Sequence, residues 1–183
     1  MMKATGIVRR IDELGRVVIP KEIRRTMHIH EGDPLEIFTD AGGGVILKKY
    51  YPLGMFGGSA ETYAEALQKM LGHTVVITDK EQVLACVGAL KKELAEKPLH
   101  KELYELLSER QTLTLHAREQ KMLPVVREDG IPYTAQLIVP ILSSGEMVGA
   151  VLLLSKEPGV RFGETEEKVC TTVADCIGRQ IEL

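Results

Sequence analysis

The chain has few cysteines, no long hydrophobic run and no catalytic signature, and each shortage removes a class of function. Its three cysteines, Cys86, Cys170 and Cys176, are an odd number at wide or helical spacing, which fits neither a disulfide framework nor a Cys-x-x-Cys metal knuckle. They are expected to be reduced and mostly buried. Cys170 and Cys176 stand six apart, so on a helix they point to different faces and do not chelate one ion together. The five histidines are scattered; His28 and His30 alternate as in a strand or short extended turn, with no acidic or cysteine partner at ligand spacing. No metal and no cofactor is expected. No apolar run approaches the roughly 18 to 20 residues of a membrane span, and no hydrophobic segment follows the first charges as in a secretory leader. The expected location is cytoplasmic, away from the membrane. No Ser-His-Asp set, paired carboxylates, Walker loop or His-Glu-x-x-His sequence occurs, and a thiol enzyme would need a low-pKa thiolate with a resolving partner. No residue is assigned a catalytic role, and the chain reads as a non-enzyme.

What the sequence does have is a local concentration of positive charge. The 183 residues carry a net charge of −3, yet through Arg25 there are seven basic residues (Lys3, Arg9, Arg10, Arg16, Lys21, Arg24, Arg25) against three acids (Asp12, Glu13, Glu22). The positive end is a local device rather than a bulk property. Arginine dominates it, and the planar guanidinium fork matches phosphate oxygens and guanine edges better than a solubilising surface requires. With 44% hydrophobic residues, a chain of this length builds real cores, and two small domains are favoured over one large one.

Residues 5–11 mix aliphatic and β-branched residues with charges, Asp12-Glu13-Leu14-Gly15 supplies a turn, and Arg16-Val17-Val18-Ile19 resumes a short strand. Pro20 suits the first turn of a helix, which continues through Lys21–Met27 with Ile23 and Met27 on one face. Glu31-Gly32-Asp33-Pro34 breaks the chain. Leu35–Thr39 and Gly44–Tyr50 then flank the turn Asp40-Ala41-Gly42-Gly43 and predict a β-hairpin. Four short strands and a two-turn helix bury too little surface for a comfortable monomer, so a second copy is expected to complete the core.

The run Thr5–Pro20, with Glu22, Arg24-Arg25, Gly32-Asp33, Leu35-Glu36-Ile37 and Ile46–Tyr50, resembles the swapped-hairpin DNA-binding domain of AbrB-type transition-state regulators. The resemblance covers about the first fifty residues. It implies a barrel-like dimer in which two chains exchange hairpins, with double-stranded DNA as the partner. By position it assigns DNA contacts to Arg9, Arg16, Arg24 and Arg25, with Arg10 at a further basic position. The domain is placed at residues 1–53.

Tyr51–Ser59 is rich in Pro and Gly and reads as the connection. A helical pattern over Ala60–Leu71 (Tyr63, Ala66, Leu67, Met70, Leu71) precedes strands at Thr74–Thr78 and Val83–Val87. A helix is predicted over Leu99–Glu109, a hairpin over Gln136–Leu142 and Met147–Leu154, and a closing helix over Gly163–Leu183 with Val169, Val173, Cys176, Ile177 and Ile181 on one face. This order, with Leu137–Ile141, Gly145-Glu146 and Val148–Leu152, resembles a GAF domain, a sensory fold with a central antiparallel sheet, over residues 56–183. The resemblance implies a ligand pocket between the sheet and the helices on its one face, for a small molecule whose chemistry the sequence does not specify.

The fold class is therefore α+β: a swapped-hairpin β-barrel dimer followed by a GAF-like domain. The combination resembles transcriptional regulators of sporulation genes in endospore-forming bacteria, acting as activator or repressor in the cytoplasm on the nucleoid. Pairing of the GAF-like helices would build a homotetramer. The alternatives are an antitoxin-type DNA-binding autoregulator, which generally carries an extended tail in place of a folded second domain, and a small-molecule sensor whose head only dimerises.

Overall fold

Two turns built on aspartate set the shape of the N-terminal segment. At the first, the main-chain N–H of Asp12 donates to the Arg16 carbonyl at 3.0 Å and that of Gly15 to the Asp12 carbonyl at 2.9 Å. The Asp12 Oδ1 accepts from the N–H groups of Leu14 and Arg16. At the second, Asp40 N–H donates to the Gly44 carbonyl at 3.0 Å, Gly43 N–H donates to the Asp40 carbonyl at 3.1 Å, and Asp40 Oδ1 accepts from Gly42 and Gly44. The bonding is the same residue for residue. Each is a three-residue hairpin loop with a glycine at its left-handed position, Gly15 at φ +75° and Gly43 at φ +80°, which a side chain would strain.

The computed structural model describes residues 6–27, 29, 31–32, 35–49 and 57–181. The chain divides into two units, residues 1–50 and 51–183. In the first, α1 (Lys21–Thr26) follows Pro20, and β1 (Leu35–Thr39) pairs antiparallel with β2 (Val45–Lys49), Ile37 facing Leu47. The second hairpin expected from the sequence is thus formed. The first is formed only at its turn: residues 6–11 and 16–19 enter no β-ladder, so two strands stand where four were expected. A strand exists by its ladder, and among the described residues neither arm is assigned to one. His28, His30, the Asp33-Pro34 break and the expected connection at residues 51–56 lie outside the described residues.

The first helix of the second unit begins earlier than expected. Gly57, Gly58 and Ser59, read as connection, form the first turn of α2 (Gly57–Leu71), where N–H groups need no intrahelical partner and glycine costs least. Then come β3 (Thr74–Thr78), β4 (Val83–Val87), α3 (Lys91–Leu94), α4 (Lys101–Ser108), β5 (Leu113–His116), β6 (Ala135–Ser143), β7 (Glu146–Ser155) and α5 (Glu164–Gln180). The five strands make one antiparallel sheet in the order β4-β3-β7-β6-β5. Alternate residues serve opposite faces. Val75, Ile77, Leu137, Val139, Val151 and Leu153 pack with Ala60, Ala64 and Leu67 of α2 and Cys170, Ala174 and Ile177 of α5. Val76, Ile138, Ala150, Leu152 and Leu154 pack on the other face with Leu94, Leu103, Leu107, Val125, Val126 and Tyr133. Helices therefore cover both faces, not one, which is why β6 and β7 read as continuous apolar runs.

The buried stripes differ in detail from the predicted ones. In α2 the inward residues are Ala60, Ala64 and Leu67, while Met70 is 67% exposed; small side chains let the helix sit close to the sheet. In α5 they are Cys170, Ala174, Ile177 and Gly178, and Cys176 is exposed. Burial pushes the Cys86 thiol up to about 11 and that of Cys170 up to about 12, so neither is a thiolate at neutral pH.

Candidate nucleic-acid interface

The five arginines singled out by the sequence fall on three successive pieces of the first unit. Arg9 and Arg10 lie on the arm before the first turn and are exposed. Arg16 closes that turn, and its side chain is 70% accessible. Arg24 and Arg25 occupy the last turn of α1, where cations complement the carbonyl end of a helix. Arg25 is exposed and Arg24 half-buried. The Arg24 Nε is shielded from solvent and has no hydrogen-bond partner, a donor that an acceptor outside this chain would satisfy.

Among the described residues only one of these arginines has a side-chain hydrogen-bond partner. The Nε of Arg16 donates to Asp12 Oδ2 at 2.8 Å. The Asp12 carboxyl is held below its ordinary 3.8, first by the N–H of Arg16, then by the Arg16 guanidinium. Sequence reasoning counted Asp12 only as a turn residue and an opposing charge; the repeated Asp-x-x-Gly spacing was the signal that its carboxylate faces inward on the loop.

The described residues of the same unit form no buried core. None of its described residues is buried. Val8 is 86% exposed, Val18 71%, and Ile11, Leu14, Ile37 and Val45 are also open to solvent. Exposed aliphatic residues interspersed with arginines make a surface that water does not favour. Lys48 Nζ sits 4.7 Å from the centroid of the Phe38 ring, a partial cover for one of them.

The second unit offers less. The face lined by α3 and α4 is filled by Leu103, Leu107, Val125, Val126 and Tyr133. Asp129 locks that packing: Oδ2 accepts from Val125 N–H at 2.6 Å and from the Tyr133 hydroxyl at 2.9 Å, and Oδ1 from Ile131 N–H at 3.0 Å. Buried Gln136 clamps both the N–H and the carbonyl of Leu123. A cleft of about 300 Å³ remains at the margin, bordered by Leu90, Glu93, Lys97, Glu128 and Lys156, with charges of both signs and no unpaired buried group. Among the described residues no cluster of ligating side chains could hold a metal, and no helix is long and apolar enough to cross a membrane.

Comparison with known proteins matches these two units separately. Residues 8–52 match the model of the MazE family, described as antidote-toxin recognition, bacterial antitoxin. Residues 55–182 match the model described as stage V sporulation protein T C-terminal, transcription factor. Over 182 residues the chain is 46% identical to stage V sporulation protein T of Bacillus subtilis, covering 99% of each.

The chain belongs to the stage V sporulation protein T family.

Over 51 residues the chain is in addition 65% identical to the transition state regulatory protein AbrB of Bacillus subtilis, covering 28% of this chain and 52% of that protein. The second unit shares its fold with the GAF domain of a phosphoenolpyruvate-protein phosphotransferase from Coxiella burnetii, at 20% identity and a TM-score of 0.57, covering 69% of this chain and 82% of that one. Membership of the stage V sporulation protein T family makes the chain a DNA-binding transcriptional regulator, an AbrB-type head joined to a GAF-fold domain. The family whose model matches residues 55–182 is described as a transcription factor.

Proposed function

We propose that the chain regulates sporulation genes by binding double-stranded DNA as a dimer, with Arg9, Arg10, Arg16, Arg24 and Arg25 of each head making the contacts. The observation that supports this best is the pairing of exposed arginines with exposed aliphatic residues on arms that enter no ladder. A second copy supplies the missing strands, buries the aliphatic residues and presents two sets of arginines at once. The domains are placed at 1–53 and 56–183, the second joining dimers into a tetramer through its helices and carrying whatever ligand response the regulator has. It acts in the cytoplasm, on the nucleoid, activating at one gene and repressing at another.

The antitoxin reading is favoured by the family model over residues 8–52 and disfavoured by the folded domain that follows. The testing experiment is DNA binding by the full chain over a range of salt. Counterion release gives a log-log slope of about −0.9 for each phosphate contacted, so several contacts per head make binding fall steeply with salt. Wild-type binding that ignores salt, or that survives simultaneous Arg16→Ala and Arg24→Ala substitution, would exclude the arginine interface.

A further inference from the structure

We propose that Asp12 is a positioning residue for base recognition: its carboxylate fixes the Arg16 guanidinium so that the two terminal nitrogens present an end-on fork to the edge of a guanine. The inference rests on the reading of Arg16 as a DNA contact and adds to it the element of DNA that Arg16 reads.

Three observations carry it. First, the Asp12 carboxylate divides its work between its two oxygens. Oδ1 accepts from the N–H groups of Leu14 at 3.0 Å and Arg16 at 2.8 Å, which secures the turn, while Oδ2 takes the Arg16 Nε at 2.8 Å. Second, the molecule contains its own control. The Asp40 turn has the same main-chain bonds and the same Oδ1 contacts, but the residue equivalent to Arg16 is Gly44, where even a Cβ would crowd Asp40 Oδ2 at 2.7 Å. The turn is therefore complete without an arginine, and the Oδ2 contact serves the arginine rather than the loop. Third, both partners are well exposed, with side chains 70% and 40% accessible. An exposed pair of this kind contributes little to stability, so folding does not explain it.

The geometry selects the class of acceptor. An arginine with Nε occupied has its side-on edge spent and offers only the pair of terminal nitrogens, the edge that meets two adjacent acceptors such as O6 and N7 of guanine. Phosphate is the poorer match, because Asp12 cancels the net charge of Arg16 and a neutral pair gains little from the backbone field. What the pair retains is direction: a long side chain held in one orientation before DNA arrives loses less freedom on binding.

The test uses the full chain, a duplex selected by the wild-type chain from a random-sequence pool, and a non-selected duplex of equal length. Asp12→Asn keeps an oxygen for the turn and replaces Oδ2 by an amide that cannot accept from Nε. Affinity for the selected duplex is expected to fall about tenfold with relaxed preference at one guanine, while affinity for the non-selected duplex holds or rises because a negative charge has gone. The fall should vanish in an Arg16→Lys background, where no fork exists to be aimed. Asp12→Ser, with one capping oxygen, carries the same expectation should the asparagine variant unfold. Wild-type preference in Asp12→Asn, an equal loss on both duplexes, or a further loss on top of Arg16→Lys would overturn the inference. Arg16→Ala binding the selected duplex like wild type would instead remove Arg16 from the interface and the underlying reading with it.

Discussion

Gly178 of α5 approaches the main-chain carbonyl of Leu142 in β6 so closely that a Cβ on Gly178 would overlap the carbonyl oxygen. Leu142 lies just past a register shift between β6 and β7 at Ile141. Gly178 stands in the last turn of a 17-residue helix, and the missing side chain is the condition for the contact. Gly178→Ala is therefore expected to destabilise rather than stabilise, by about 1–3 kcal/mol of overpacking, read as a lower Tm.

The Asp129 carboxylate should be the most sensitive polar position of the second unit. Asp129→Ala strands the N–H groups of Val125 and Ile131 and the Tyr133 hydroxyl, and each donor left unsatisfied and out of water costs about 1–3 kcal/mol. Tyr133→Phe removes one donor and leaves the others, with an expected loss of about 0.5–1.5 kcal/mol. Urea unfolding of the two variants checks the order; equal stabilities would deny Asp129 the role of organiser.

Acid should loosen the start of α5. Glu166 accepts from the Gly163 N–H at 2.8 Å, and this bond first of all holds its carboxyl below the ordinary 4.5. A group depressed in the folded state stabilises above its unfolded value and loses that contribution as pH falls through the folded one. Stability should thus decline below about pH 4.5 more steeply in the wild type than in Glu166→Gln, as followed by helical circular dichroism.

Thiol labelling distinguishes the three cysteines. Cys176 is exposed while Cys86 and Cys170 are buried, so a disulfide reagent should modify Cys176 quickly in the folded chain and the other two only on unfolding. Fast modification of Cys170 would contradict the packing of α5.

The exposed aliphatic residues of the head give the last expectation. Val18→Glu places a charge where the proposed dimer buries a methyl pair, and should lower the molar mass of the full chain in light scattering and abolish DNA binding with it. A variant that assembles and binds like the wild type would place the dimer contact elsewhere.

Much of this was legible in the sequence for identifiable reasons. The two Asp-x-x-Gly loops announce themselves because only certain residues tolerate their backbone, and β3, β4, β6 and β7 because long apolar runs leave few alternatives. The short elements α3 and β5 were missed, since four residues carry no periodicity. The stripe of α2 was drawn through Met70 and Ala66 because hydrophobicity was followed, whereas the sheet selected the small residues Ala60 and Ala64. The arms at residues 6–11 and 16–19 read as strands because their pattern is that of strands, though among the described residues neither is assigned to a ladder. The Asp12–Arg16 contact escaped because a charge count registers two neighbours as cancelling and says nothing of which atoms meet.

The bare head has a consequence for dosage. No residue described in the first unit is buried; in the proposed dimer its folding is tied to association, and a structure shared between two chains gains stability with protein concentration. Below a threshold number of molecules the reading heads are not merely scarce but unassembled. Transcription under such a regulator responds to its copy number more sharply than in proportion, and dilution by growth and division would itself act as an off signal.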